Sequence, residues 1–482
     1  LLFHTLEFFV FFPIVFALYW VLNGRRNLQN LVLLVSSYVF YGWWDWRFLG
    51  LIFASSCFDY FAGLGIQNSA SSRKRKWILI SSLVFNLGLL GYFKYFNFFA
   101  AELQTAFTGL GITLDYATLN IVLPVGISFY TFQTLSYTLD IYAGRMKATR
   151  DALAFFTFVA FFPQLVAGPI ERASHLLPQF YEDHRFGYAN AVAGGRLILW
   201  GFFKKVLVAD SCAVVVNDIF ASYSTQDGWT LAMGAFFFAF QIYGDFSGYS
   251  DIARGLGKLL GFDLMQNFAF PYFSRNVAEF WRRWHISLST WFRDYVFIPL
   301  GGSRATKAVV ARNLIIVFVV SGLWHGANWT FVVWGTLNAV LIMPVLYISH
   351  SGKQTDQIAD GRLLPSVREA IQMALTFAAI CVTWIVFRSE SIGQAGEYIY
   401  RMVNECVRHP GGVLVAFRKY RFEPALLLVV ALLSAEWISR WSRYSFDRLP
   451  VVIRWALYQA IFSIVVWFAF YREPSEFIYF QF

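Results

Sequence analysis

Apolar runs recur from one end of the chain to the other, roughly over 6–22, 28–44, 48–66, 77–99, 119–140, 152–169, 194–216, 229–247, 308–325, 329–348, 367–388, 424–439 and 451–470. A helix of about 20 apolar residues crosses a bilayer core of roughly 30 Å. Lipid offers no hydrogen-bond partner to bare backbone, so helices are the solution open to such runs. The expected fold is therefore an all-α polytopic membrane protein of about 11–13 spans, one or two of them re-entrant. One integral-membrane domain is expected over residues 1–482, with its core near 119–345 and further helices over 367–482. Composition agrees: the 482 residues are 58% hydrophobic and 14% charged, against about 25% charged in soluble domains. The net charge of +10 then reads as Lys and Arg in cytoplasmic loops, and nucleic acid is not expected as a partner.

Basic residues follow the first, third and fifth runs: Arg25 and Arg26, Arg73 to Lys76, and Arg145, Lys147 and Arg150. The loops between them carry Asp45, Glu102 and Asp115. The positive-inside rule places the basic loops in the cytoplasm and the N-terminus outside. The first run lacks a basic leader and a small-residue cleavage site, so no cleavable signal peptide is expected. Cys57, Cys212, Cys381 and Cys406 are scattered, without metal or disulfide spacing. Gly and Pro interrupt several runs, at Pro124 and Gly126, at Pro163, and at Ala167-Gly168-Pro169. Each is a proline kink or a stretch of irregular backbone lining a cavity.

One ionisable residue is out of place in this pattern. His325 sits in Ser321-Gly322-Leu323-Trp324-His325-Gly326-Ala327-Asn328-Trp329, between two apolar runs. From Arg312 a helix reaches His325 in roughly 20 Å, well inside a bilayer if Arg312 marks an interface. A titratable side chain at that depth is a functional candidate by default. The plain alternative is a neutral imidazole hydrogen-bonded to a carbonyl.

Two further stretches are unusual. Asp245-Phe246-Ser247-Gly248-Tyr249-Ser250-Asp251 closes an apolar run and suggests a turn or re-entrant segment, with helix capping as the alternative; its carboxylates have arginines available in the next section. Asn276 with Glu279 marks a helix start, and Pro299-Leu300-Gly301-Gly302 marks its stop. One helix over 276–298 is expected, with Trp281, Trp284, His285, Leu288, Trp291, Phe292 and Tyr295 on one stripe and Arg282, Ser289 and Arg293 on another. Glu279 is expected to pair with Arg283. His285 belongs to the aromatic stripe and points inward. His175 and His184 sit in a polar loop with Glu182 and Asp183, and residues 350–366 read as a solvated linker. There is no P-loop, no GxSxG, no HExxH and no coherent metal spacing.

If His325 and His285 face one cavity, the chemistry is narrow. No Ser, Cys or Asp stands in a nucleophile motif. Imidazole is the natural base near neutral pH, able to take the proton of a hydroxyl attacking an activated acyl group. Asn328, an indole N–H such as that of Trp324, or backbone amides at the helix break are the candidate oxyanion donors. Arg282, Arg283 and Arg293 are candidates to hold phosphates of an acyl carrier.

These stretches carry a resemblance. Leu123-Pro124-Val125-Gly126-Ile127-Ser128-Phe129-Tyr130, Val166 to Ile170, Asp245 to Asp251, Glu279 to Ser289 and Gly322 to Ala327 are similar to bacterial membrane-bound O-acyltransferases of the alginate O-acetyltransferase membrane-subunit branch. The resemblance covers most of the first 340 residues and is loose after about residue 350. It implies a ring of helices and re-entrant segments around a central funnel or tunnel, in the bacterial cytoplasmic membrane. It implies His325 as catalytic histidine, His285 as a second functional histidine, and supporting or donor-binding places for Arg282, Arg283, Trp324, Asn328 and Asp245. The donor implied is cytosolic acetyl-CoA or another acyl carrier, with no bound cofactor and no metal. The acceptor implied is a hydroxyl of an exported polysaccharide, reached directly or through an extracytoplasmic SGNH-type partner. A transporter or channel is the rival class, since broken helices with buried ionisables also mark substrate pathways. No inverted repeat is visible, and the ionisables gather in two histidine motifs. A non-catalytic scaffold for a partner acyltransferase is the third reading.

Overall fold

The computed structural model describes residues 2–112, 121–166, 168–348, 358–420, 422–440, 449–471 and 477–478. Asp115, Ala167, His350 and the first half of the expected linker lie outside the described residues. Within them the chain is helical, without a β-strand. Five helices are long and apolar enough to cross a membrane: Arg26–Asn68, Ser72–Gly109, Lys307–His325, Val367–Arg388 and Val451–Ala469. A bent pair, Pro410–Tyr420 with Glu423–Ser439, makes a sixth if it is one span, and shorter apolar helices include Leu6–Val21 and Trp329–Val345.

The helices form two compact units, one of residues 1–198 and 252–265, the other of 199–251 and 266–482. In the first unit, polar side chains join the helices Leu49–Asn68, Ser72–Leu90 and Ile127–Tyr142. Ser82 and Asn86 donate to the buried Asp59 carboxylate at 2.6 and 2.9 Å, and Ser55 donates to Asn86. The Pro124–Gly126 interruption is the start of the third of these helices: Gly126, at φ +78°, is its N-cap. Pro163 opens a separate short helix, Phe162–Leu165, after a break at Phe161, so the run over 152–169 is broken.

In the second unit, two stretches differ from the sequence expectation. The helix that begins at Gly228 continues to Leu259, so Asp245 to Asp251 is neither turn, re-entrant segment nor cap. Its carboxylates are neutralised inside the unit. Lys205 Nζ lies 2.7 Å from Asp245 and 2.9 Å from Asp210, and Lys204 Nζ lies 2.6 Å from Asp251. Both lysines are buried and sit on a π-helical turn, Phe203–Ala209. These lysines, which precede the carboxylates in the chain, are partners that the sequence expectation did not name. The second difference is the stretch 276–298, which is three pieces: Val277–Arg283, Ile286–Phe292 and a π turn, Arg293–Phe297.

Lys307–His325 and Trp329–Ile348 form a tight antiparallel hairpin. Two glycines permit the approach. A Cβ on Gly322 would lie 2.2 Å from the Phe331 carbonyl oxygen, and one on Gly335 would lie 2.2 Å from that of Phe318. No side chain fits at either point, so the two backbones touch.

Candidate active site

His325 is the last residue of its helix, as its sequence position suggests, and is buried at 6% exposure. Gly326 leaves the helical conformation at φ −166°. Asn328 opens the next helix by accepting from the Thr330 N–H, and its amide donates to the Glu390 carbonyl at 2.9 Å. The imidazole stands in an aromatic box: Trp324 at 5.0 Å between ring centroids, Trp334 at 5.1 Å and Phe387 at 5.4 Å, all nearly perpendicular to it. Such edge-to-face contacts fix a ring's plane.

His285 reaches the same box by a different route. It is the second of the two residues between the two short helices, in the left-handed region at φ +45°, ψ +55°. That conformation costs a non-glycine residue about 1–3 kcal/mol and persists only where its surroundings impose it. They do so through Asn267. Its carbonyl accepts the Ile286 N–H at 2.9 Å, and its side-chain oxygen accepts the Ser287 N–H and hydroxyl at 3.2 and 2.8 Å. Its amide reaches Ser250 at 3.2 Å, which ties the break to the Asp245–Asp251 stretch. The His285 ring lies 4.6 Å from Phe246, 5.8 Å from Trp324 and 6.4 Å from His325. Thus two buried imidazoles, 40 positions apart in sequence, meet in one cluster of aromatic rings within the second unit, the histidine chamber.

The family model described as "MBOAT, membrane-bound O-acyltransferase family" matches residues 147–357. A probable alginate O-acetylase of Pseudomonas syringae pv. tomato is 40% identical over 393 residues, 81% of this chain and 72% of that protein. The chain belongs to the membrane-bound O-acyltransferase family. A peptidoglycan O-acetyltransferase of Helicobacter pylori is 34% identical over 437 residues, covering 84% of this chain and 80% of its own length. A teichoic acid D-alanyltransferase of Bacillus subtilis is 27% identical over 285 residues, 56% of this chain and 69% of its own. The protein is a multi-pass membrane O-acyltransferase.

The other expected site residues of this acyltransferase fall into distinct places. Trp324 is in the chamber. Asn328 is beside it but engaged as a helix cap. Arg283 pairs with Glu279 at 2.7 Å, the predicted contact, and Arg275 joins the same carboxylate at 3.0 Å. Burial acts to raise the Glu279 carboxyl, but hydrogen bonds from the Arg275 side chain and backbone, with the Arg283 charge, outweigh it and hold it below the usual carboxylate range. Arg282 and Arg293 are exposed, Arg293 against Asp294. Asp245 is held by Lys205 and by the Ile478 N–H at 2.6 Å. Phe477, next to Ile478, packs 4.4 Å from Tyr249.

His175 and His184 belong to the first unit. His175 faces the buried Glu171 at 2.8 Å. His184, expected on a surface loop, is buried against Phe262 at 4.3 Å. Sequence reasoning missed Phe246, Trp334 and Phe387 as chamber walls. Phe246 lies in a stretch already singled out, whereas Trp334 and Phe387 carry no local signal among the many aromatics of apolar helices.

Proposed function

We propose that this acyltransferase moves an acetyl group from a cytosolic acyl thioester, such as acetyl-CoA, to a hydroxyl on the far side of the membrane. The acceptor is an exported polysaccharide or an SGNH-type partner that hands the acetyl group to one, and the membrane is the bacterial cytoplasmic membrane. The relatives named for alginate and peptidoglycan O-acetylation support the acetyl group and the glycan end point. The observation that carries the reading is the pair of buried imidazoles 6.4 Å apart in a chamber otherwise walled by aromatic rings.

His325 acts as the general base. It takes the proton as the acceptor oxygen bonds to the acyl carbon and the carbonyl becomes an oxyanion. When the carbonyl re-forms, the C–S bond breaks and the leaving thiolate takes that proton from the imidazolium. Aromatic walls offer water few hydrogen-bond partners, which would protect the thioester from hydrolysis and strengthen each polar contact. His285, held by its strained backbone, orients His325 or the acceptor hydroxyl. No observation favours the transporter reading.

Purified protein in liposomes, supplied with radiolabelled acetyl-CoA and alginate or peptidoglycan fragments, tests this. His325→Ala is expected to lower transfer about 10²–10⁴-fold, the usual span for a general base. Undiminished transfer by that variant would refute the mechanism, and undiminished glycan acetylation in cells would favour the scaffold reading. Transfer that appears only when an SGNH protein is added assigns the last step to the partner.

A further inference from the structure

The helix Ile392–Arg408 starts four residues after the span Val367–Arg388 ends, so it begins at the membrane surface. Its faces divide into three. One packs inward: Ala395 and Tyr398 are buried, Tyr398 stacks on Phe220 at 4.7 Å, and its hydroxyl donates to the Leu231 carbonyl. The remaining two thirds is not uniformly polar. Ile392, Tyr400, Val403 and Val407 are 49, 68, 53 and 74% exposed. At roughly 100° per residue these four fall within an arc of about 80°.

Glu397, Asn404 and Arg408 occupy the adjoining arc. Beyond them Arg401 and Glu405 turn toward the loop at 226–228, where Glu405 accepts the Gly228 N–H at 2.7 Å. The outward surface is therefore split lengthwise into an apolar flank and a charged flank. A helix wholly in water has no reason for the first, and one wholly in lipid cannot carry the second. A helix lying in the plane of the interface needs both, with a tyrosine and arginines near the boundary. The exposed Leu414 and Val415 extend the apolar surface into the next helix, Val413–Tyr420.

We propose that the helix Ile392–Arg408 is an in-plane membrane anchor for the histidine chamber, its Ile392–Tyr400–Val403–Val407 flank immersed in lipid. The link to the chamber is short. Glu390, two residues before the helix, accepts the amide of Asn328, three residues after His325. Phe387, five residues before the helix, is a wall of the His325 box. An anchor at this point holds the chamber at a constant depth below the nearer membrane surface.

Photocrosslinking in the full-length chain tests the surface directly. Benzoylphenylalanine replaces Val403, Val407, Glu397 or Arg408 one at a time in cell membranes, and adducts are identified by mass. Phospholipid adducts at positions 403 and 407, several-fold above those at 397 and 408, are expected. A protein adduct at 403 and 407 would overturn the proposal in favour of a partner on this flank, and equal yields at all four would overturn it in favour of water. The functional arm compares Val403→Asp/Val407→Asp with Val403→Leu/Val407→Leu. A several-fold fall in kcat for the first pair, with wild-type kcat for the second, is expected; wild-type kcat in both would remove the link to the chamber. Only this arm rests on the proposed transfer reaction, so its failure and that of the surface assignment are distinguishable.

Discussion

Gly322→Ala turns the geometry of the histidine hairpin into a rate. The added Cβ would meet the Phe331 carbonyl oxygen at 2.2 Å, where 3.4 Å begins ordinary contact. The obstacle is backbone, so no rotamer relieves it, and the two helices must part by about 1 Å, the difference between those distances. Gly322 is one helical turn before His325, so the displacement passes almost undiminished to the imidazole. Overpacking of this kind costs about 1–3 kcal/mol of stability. A misplacement of about 1 Å at a reacting group costs up to about 10²-fold in rate.

The expected result is a kcat reduced about 10²-fold with a folded, membrane-inserted protein, read by initial-rate acetyl transfer in liposomes alongside thermal unfolding in detergent. Gly335→Ala supplies the control. Its clash with the Phe318 oxygen is equally severe and lies two turns from His325, although next to the wall residue Trp334, so its stability loss should match while its kcat falls less, through Trp334 and not through His325 itself. Equal kcat values for Gly322→Ala and wild type would refute the claim that backbone contact at Gly322 sets the position of His325.

Further outcomes follow from other parts of the structure. His285→Gly should relieve about 1–3 kcal/mol of left-handed strain and hold or raise the unfolding temperature while transfer falls; His285→Ala should keep the strain and lower both. Glu279→Gln leaves Arg283 and Arg275 partly uncompensated, although Glu369 lies 3.8 Å from Arg275, so a loss of ~3 kcal/mol, the low end for a broken buried pair, is expected. Because the Glu279 carboxyl is held low, its contribution is present above the usual carboxylate range and is lost as pH falls through the depressed value. The unfolding temperatures of variant and wild type should therefore differ at pH 7 and converge in acid. Lys205→Met removes the buried cation shared by Asp245 and Asp210 and should lower stability by about 3–5 kcal/mol, seen as a drop in unfolding temperature, whereas Lys258→Met, whose partner Asp263 is exposed, should change it little.

The sequence by itself determined the helical membrane class, because apolar runs of span length leave the backbone no other way to satisfy its hydrogen bonds. It also placed His325 at a helix end and paired Glu279 with Arg283, both readable from neighbours within a turn or two. The tertiary structure alone decided the rest. Asp245 to Asp251 reads as a turn, a re-entrant segment or a cap because two carboxylates flank Gly248 at the close of an apolar run. Lys204 and Lys205, some 40 positions earlier, compensate them and let the helix run on. The stretch after Asn276 looked like one helix because its aromatic period is unbroken. The turn at His285 is imposed by Asn267, and no glycine or proline announces it. Periodicity reports which face of a helix is apolar, but not which distant ring that face meets. The chamber exists because Asn267, the Gly322–Phe331 contact and the Phe387 helix bring residues from five separate elements to one point.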